Sequence, residues 1–470
     1  LISNNELKFS DNDELATLLS IGFNAQKFRI MKIVYLISLS AILLYSCSTD
    51  KKYKELIKEP DIFCKTVKQL NDVVLENNFP PMIASRNYAY ACIAAYETMS
   101  AGSSTYQSLS GQIKHLPVLP KPKDTTNIDF HVAALLAFCK VGTAVTFSDD
   151  IMNEYVVQLK QTLSDNGMQS AIMKATTAFA DTISSTILAW AKKDNYLQIR
   201  SAAKYTVTNV PGTWIPTPPM YAQALEAHWN EIRPMVMDSA SQFMPARPPA
   251  FTPKSVNTVF YTAVKEVETV VDSLSDEQKA IALFWDDNPF QLNVVGHVQY
   301  ATKKFSPPGH WMNIVGIIGK EKQADFEMVV ASYAASAIAL FDGFISTWDE
   351  KYRSNYVRPV SVINEYYNPA WQPFIQTPPF PEYTSGHAVI SAAAAEVMTN
   401  WYGSNVQFTD TSLVQFGIPA RNFKNIRLAA KEAAISRLYG GIHYKYSCEI
   451  GNEQGIKIGQ LVIEKLKFKK

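Results

Sequence analysis

Apolar and small residues recur three and four positions apart along most of this chain. The first half holds VVLENNFPPMIASRNYAYACIAAYETMSAG, FHVAALLAFCKVGTAVTF and KATTAFADTISSTILAWAKKD, all at the period of a helix packed on one face or buried. The second half holds SDEQKAIALFWDDNP, FEMVVASYAASAIALFDGFISTWDEKYRSNYV, GHAVISAAAAEVMTNWYG and NIRLAAKEAAISRLYGG. Pro289, Pro359, Gly403 and the Gly440-Gly441 pair mark where these runs stop. No Val/Ile-rich alternating run suggests a sheet. The pattern predicts an all-α fold built of helix bundles. A Pro-rich connector from Val210 to Gln223, followed by Pro245-Ala246-Arg247-Pro248-Pro249, separates two helical halves, 48–220 and 221–470. No repeat or low-complexity tract interrupts them.

The N-terminal stretch follows a different pattern. Residues 1–30 are polar and without period, and Met31-Lys32 then opens the apolar run IVYLISLSAILLYS. A basic start and about a dozen apolar residues describe a secretory signal. The run is short for a membrane span, which takes roughly 20 apolar residues. It ends in Leu44-Tyr45-Ser46-Cys47, followed by the polar STDKKYKE. This resembles a bacterial lipoprotein signal, in which Cys47 becomes the lipidated N-terminus, although Tyr45 stands where a small residue is usual. An ordinary signal peptide with an unrelated Cys is the other reading. Residues 1–30 then read as upstream sequence before a start at Met31. Either way an exported protein is expected. With lipidation it is a periplasmic or cell-surface lipoprotein attached to a membrane by its lipid anchor.

Composition narrows the function classes. Of the 470 residues, 47% are hydrophobic and 19% charged, enough for a large core and too little charge for a disordered chain. The net charge of +1, from 44 basic and 43 acidic residues, gives no broad field that would favour nucleic acid. An anion has to be held by a local basic cluster. Cys64, Cys92, Cys139 and Cys448 form no C-x-x-C pair, which argues against zinc and dithiol redox chemistry. Export permits a disulfide, but no pair stands out.

Three short segments carry the candidate chemistry. In KYRSNYVRP, Lys351 and Arg358 are seven residues apart, two helical turns, so both are expected on one helix face, with the helix ending at Arg358 before Pro359. In YTSGHAVISAAAAEV, Ser385 precedes an Ala-rich helix, Gly386 permits close approach and His387 sits in the first turn. Free N–H groups and the dipole make a helix start suited to an anion, and a His there can transfer protons. In SRLYGGIHY, Arg437 ends a helix stopped by Gly440-Gly441, and His443 follows on the turn. Taken singly, each has an ordinary reading: a surface charge stripe, a Ser N-cap with a bystander His, a structural Arg and His. Together they form a cradle of cations and donors for a tetrahedral oxyanion, flanked by two histidines.

The order Lys-x6-Arg-Pro, Ser-Gly-His, Ser-Arg-x5-His resembles the signature of the superfamily of type 2 phosphatidic acid phosphatases and vanadium-dependent haloperoxidases. WIPTPP, the His310-Trp311 of PPGHW, FISTWDEKYRSNYVRPV and GGIHY are similar to its bacterial haloperoxidase-like branch. The resemblance is good from Pro211 to Lys470 and weak before that. It implies a C-terminal domain of this superfamily at 221–470. Lys351, Arg358, Arg437, Ser385 and the Gly386 N–H would bind the oxygens of vanadate or phosphate. His387 would be the acid/base group. His443 would bind vanadium, or attack phosphorus in a phosphatase. The implied cofactor is vanadate, with hydrogen peroxide and halide as substrates. Phe380 is a halide-site candidate, because chloroperoxidases of the family tend to carry Phe there and bromoperoxidases His. Family members usually have Asp four residues after the last His. Here that position is Ser447, which brings no charge, so His443 is expected to be under-supported and Ser447→Asp to raise phosphatase turnover.

Three functions follow from this reading. The first is an exported vanadate-dependent haloperoxidase, favoured by the long helical half before the motifs and by the absence of an expected membrane span after Cys47. The second is a soluble acid phosphatase that hydrolyses phosphate esters through a phospho-His intermediate. The third is a non-catalytic surface lipoprotein with a retained anion pocket, for which Ser447 is the only support.

Overall fold

The structure is a computed structural model that describes residues 52–289, 291–295, 298–302 and 304–470. The segments 1–30 and 31–47, with the candidate lipidation site Cys47, lie outside the described residues. After a short helix at Lys52–Leu56, helices α1 (Pro60–Glu76) and α2 (Pro81–Ser100) both begin with Pro. The missing N–H has no intrahelical partner there in any case. Helix α3 (Phe130–Ala144) is capped by Asp129, which accepts the Val132 N–H. Helices α4 (Asp149–Asp165) and α5 (Ser170–Ala191) complete the first half. The chain then runs to Val259 with only short turns at Tyr196–Ile199 and Trp229–Glu231.

The second half holds α6 (Val259–Asp272), α7 (Asp276–Phe284), the strands β1 (Gln291–Val295) and β2 (Val298–Thr302), α8 (Pro307–Glu321), α9 (Phe326–Ser354) and α10 (Pro359–Tyr366). Helix α11 (Gly386–Tyr402), strands β3 (Phe408–Asp410) and β4 (Arg421–Phe423), α12 (Ile426–Tyr439) and α13 (Lys445–Lys465) follow. The expected all-α architecture is present. Two antiparallel two-stranded sheets are added to it, one with Gln291 opposite Thr302 and one with Phe408 opposite Phe423.

Helix α9 is the central element. Its Asp325 cap accepts the Met328 N–H, and nearly every residue from Phe326 to Trp348 is buried. It packs on α2 of the first half and on α11 of the second, so one apolar core runs across the connector. By length and composition α9 could cross a membrane, contrary to the expectation that no such segment follows Cys47. However, 94% of its apolar window is buried inside the protein, as befits a core helix.

The end of α9 differs from the sequence expectation. The helix stops at Ser354, Asn355 takes a left-handed conformation (φ 47°), and Arg358 is extended as the cap of α10. The connector causes this. Trp214 N–H donates to Asn355 O at 2.8 Å, and Val357 N–H donates to Gly212 O at 3.1 Å, which pulls 355–357 into an extended pairing. Lys351 and Arg358 therefore do not share a helix face. The four described cysteines are buried and free, one each in α1, α2, α3 and α13, so no disulfide joins them.

Helices α11 and α13 approach closely along a glycine stripe. A Cβ on Gly455 would lie 2.0 Å from Val389 O, and one on Gly459 would lie 2.7 Å from Ala393 O. This contact sets the start of α11 against the turn that carries His443. Gly455→Ala should cost about 1–3 kcal/mol by overpacking, read as a lower urea midpoint. An unchanged midpoint would mean that the two helices separate freely.

Candidate active site

All three segments meet at one cleft. Phe380, Gly386, His387, Arg437, Ile442 and His443 line it together with Asp287, while Lys351, Arg358 and Ser385 are buried behind this lining.

His443 is held from both sides. Its Nδ1 lies 2.7 Å from Glu382 Oε1, and its Nε2 lies 3.1 Å from Arg358 Nη1. A guanidinium only donates, so Nε2 is the acceptor nitrogen and Nδ1 carries the proton given to Glu382. Burial, then the cations Arg358, Lys351 and Arg437, hold the His443 pKa well below its ordinary value. The ring is thus a neutral imidazole whose Nε2 lone pair accepts from Arg358 here and becomes the ligating site where a bound oxyanion takes the Arg358 N–H instead.

Glu382 is the residue that sequence reasoning missed. It is fully buried and also accepts the Tyr444 N–H at 3.1 Å and the Ser447 hydroxyl at 2.7 Å. Burial raises its pKa to about 7, against the pull of Ser447, Arg358 and Lys351. This corrects the expectation about Ser447. His443 has its carboxylate, delivered from the loop before α11, and Ser447 serves by holding that carboxylate. The signal was a Glu three residues before Ser385, but 61 residues separate it from His443 in the chain.

The cations are used differently from the expected three-pronged cradle. Lys351 Nζ donates to the carbonyls of Pro381 (2.9 Å), Glu382 (2.9 Å) and Thr384 (2.7 Å), which occupies all three of its protons. It clamps the loop that carries Glu382 and Ser385. Burial, with the nearby Arg358, pulls its pKa well down. Arg437 donates to Ser436 Oγ at 3.0 Å and to the carbonyls of Trp285 and Asp286. Arg358 donates through Nε to Phe380 O (3.0 Å) and through Nη1 to Ile442 O (2.7 Å), yet its buried Nη2 has no partner among the described residues. Burial lowers the Arg358 pKa to about 10, which leaves it charged at neutral pH.

Ser385 stands at the cap position of α11 but makes no capping bond. Its Oγ is buried without a hydrogen-bonded oxygen or nitrogen among the described residues, and the Cys448 thiol lies beside it. The residue is fixed through its backbone, where its N–H donates to Ser447 O at 3.2 Å. Gly386 opens α11, where an N–H has no intrahelical acceptor. His387, one residue on, has an unpaired Nε2 that lies 3.8 Å from Asp287 Oδ2. Burial, then Arg437, His310 and Lys351, depress its pKa. Phe380 packs on Trp348 at 5.0 Å, with Lys351 and Arg358 each 5.1 Å from its ring.

Arg358 Nη2, Ser385 Oγ and His387 Nε2, from the segments that meet at the cleft, thus lack hydrogen-bond partners among the described residues. Such atoms are costly unless a ligand satisfies them. With the Gly386 N–H and the His443 lone pair beside them, they fit a tetrahedral oxyanion whose central atom accepts one nitrogen.

Comparison with known proteins agrees with this fit. A family model described as the VCPO second helical-bundle domain matches residues 331–469. The chain is similar to the structure of the first bacterial vanadium-dependent iodoperoxidase, with 40% identity and a TM-score of 0.82, over 87% of this chain and 97% of that one. A bacterial vanadium-dependent chloroperoxidase, in holo and apo forms, matches at 17% identity and a TM-score of 0.63, over 82% of this chain and 92% of that one, and bears on the fold alone. No curated protein matches.

Proposed function

The chain belongs to the family of vanadium-dependent haloperoxidases, and from that premise we propose that it oxidises iodide with hydrogen peroxide at the cleft between Arg358, Ser385 and His443. The observation that carries the site assignment is that Arg358 Nη2, Ser385 Oγ and His387 Nε2 are buried without hydrogen-bond partners among the described residues, in the three segments that meet at the cleft, with Arg358 also bonded to His443 Nε2. Iodide is favoured by the likeness to an iodoperoxidase and by a cleft wall of Phe344, Trp348 and Phe380, which suits a large, polarisable, weakly hydrated anion.

The vanadate cofactor supplies a Lewis-acidic centre at which peroxide becomes electrophilic toward halide. His443 would bind the cofactor through Nε2, and Glu382 holds the tautomer that leaves the Nε2 lone pair available. Arg358 Nη2, Ser385 Oγ and the Gly386 N–H would donate to the oxyanion's oxygens. Arg437 and Lys351 add positive charge, and Lys351 keeps the loop in place. His387 Nε2 faces the cleft as the group that accepts and returns a proton. Phe380 borders the halide's approach. With Glu382 in place, the reading of a non-catalytic lipoprotein loses its only support.

Two finer points belong to the same proposal. The signal pattern of residues 31–47 supports export and anchoring through Cys47, and the connector supports a division into 48–220 and 221–470.

The test is titration of the vanadate-free protein with vanadate, followed by peroxide-dependent oxidation of iodide, bromide and chloride. Iodide should react fastest, and activity should saturate with vanadate. Because the cradle reads charge and shape, millimolar phosphate should raise the vanadate concentration required. Unchanged vanadate affinity in phosphate would argue against an oxyanion site.

A further inference from the structure

Behind the cleft lies a buried cluster that the chemistry above does not use. His310, in the first turn of α8, is wholly buried and bonded at both ring nitrogens. Its Nδ1 is 2.9 Å from Asp287 Oδ1 and 3.1 Å from Asp287 Oδ2, and its Nε2 is 2.9 Å from Asp410 Oδ2. Ionised carboxylates accept only, so both nitrogens donate and the ring is an imidazolium. Burial pushes its pKa down, but Asp287 and Asp410 outweigh this and hold it at about 10. Trp285 stacks on the ring at 4.8 Å. Asp410, the last residue of β3, is fixed in turn by the Ser412 N–H at 2.9 Å.

A charged triad buried at this depth is expensive, and an apolar replacement would stabilise the fold as well or better. The cluster also ends in a specific place. Asp287 sits in the turn after α7 with φ at 42°, the left-handed region, and its carboxylate borders the cleft. There Asp287 Oδ2 lies 3.8 Å from His387 Nε2, a nitrogen without a hydrogen-bond partner among the described residues, while the His387 ring also bonds the Trp285 backbone.

We propose that Asp410, His310 and Asp287 form a buried file that positions His387, with His310 and Asp410 as positioning residues for the proton-transferring imidazole. His310 Nδ1 holds both oxygens of the Asp287 carboxylate, and so fixes the position of Oδ2, the oxygen nearest His387. Asp410 anchors His310 from the far side, remote from the oxyanion donors. This rests on the reading of His387 as the acid/base group, and it separates two halves of the site. Glu382 supports the ligand His443, and the His310 file supports His387.

Two measurements test it. The first is imidazole NMR of the vanadate-free protein, which has seven histidines. His310 should give two slowly exchanging downfield ring protons, and Asp410→Asn should shift the ring signals of His387. Unmoved His387 signals would overturn the proposal, whatever the enzyme's activity. The second is a double-mutant cycle on the vanadate-loaded enzyme. Asp410→Asn and His310→Gln should each lower kcat for iodide about tenfold, with vanadate affinity and the KM for iodide nearly unchanged. In a His387→Ala background the same substitutions should add almost nothing. Equal losses in both backgrounds would make the file merely structural. A wild-type protein without vanadate-dependent peroxidase activity would refute the functional reading, while the NMR result would still decide the file.

Discussion

His443→Ala is expected to lose vanadate-dependent halide oxidation completely. Arg358, Ser385 and the Gly386 N–H can only donate N–H or O–H bonds to oxygens, whereas His443 is a neutral ring whose Nδ1–H is fixed on Glu382, which leaves Nε2 as the nitrogen oriented for ligation. Its neutrality follows from burial beside three cations, which makes an imidazolium costly there. Alanine removes that ligand and leaves Glu382 buried without the ring N–H it accepts. The measurement is vanadate titration with an iodide assay, beside circular dichroism to confirm folding. A folded His443→Ala protein with normal vanadate-dependent rates would show that another residue holds the cofactor.

Glu382→Gln is expected to lower vanadate affinity or activity by about 10–100-fold, the usual range for a group that orients a ligand. The carboxylate accepts three hydrogen bonds, from His443 Nδ1, the Tyr444 N–H and the Ser447 hydroxyl. A carboxamide can accept only through its oxygen, so its NH2 group would face one of these donors. With the NH2 turned to Ser447, whose hydroxyl can accept, His443 would keep its bond but exchange a charged acceptor for a neutral one; with the NH2 turned to His443, the ring would lose the tautomer that exposes Nε2. Ser447→Asp should fail in the same direction, not improve turnover as the family pattern suggests. It would set a second carboxylate against Glu382, and two such groups in contact do not both ionise. A gain of activity in Ser447→Asp, or full activity in Glu382→Gln, would remove Glu382 from its supporting role.

The helices and the motif order were legible in the chain itself. Period, Pro and Gly punctuation and Ala-rich runs carry the all-α architecture because helix formation is local. Ser385, Gly386, His387, Arg437 and His443 were legible because each sits at a helix end whose position those same signals mark. Other features depended on contacts between distant residues. The early stop of α9 is imposed by the connector at 212–214, more than a hundred residues upstream. The direction of the Lys351 ammonium is decided by three loop carbonyls that only the folded chain presents. The carboxylate for His443 comes from Glu382 instead of position 447, and the carboxylate nearest His387 comes from Asp287 in the turn after α7. A local pattern specifies which residues a helix end displays. Which of them receives a proton, a carbonyl or a carboxylate is fixed by long-range packing, since a buried polar group takes whichever partner the assembled core brings within hydrogen-bonding distance.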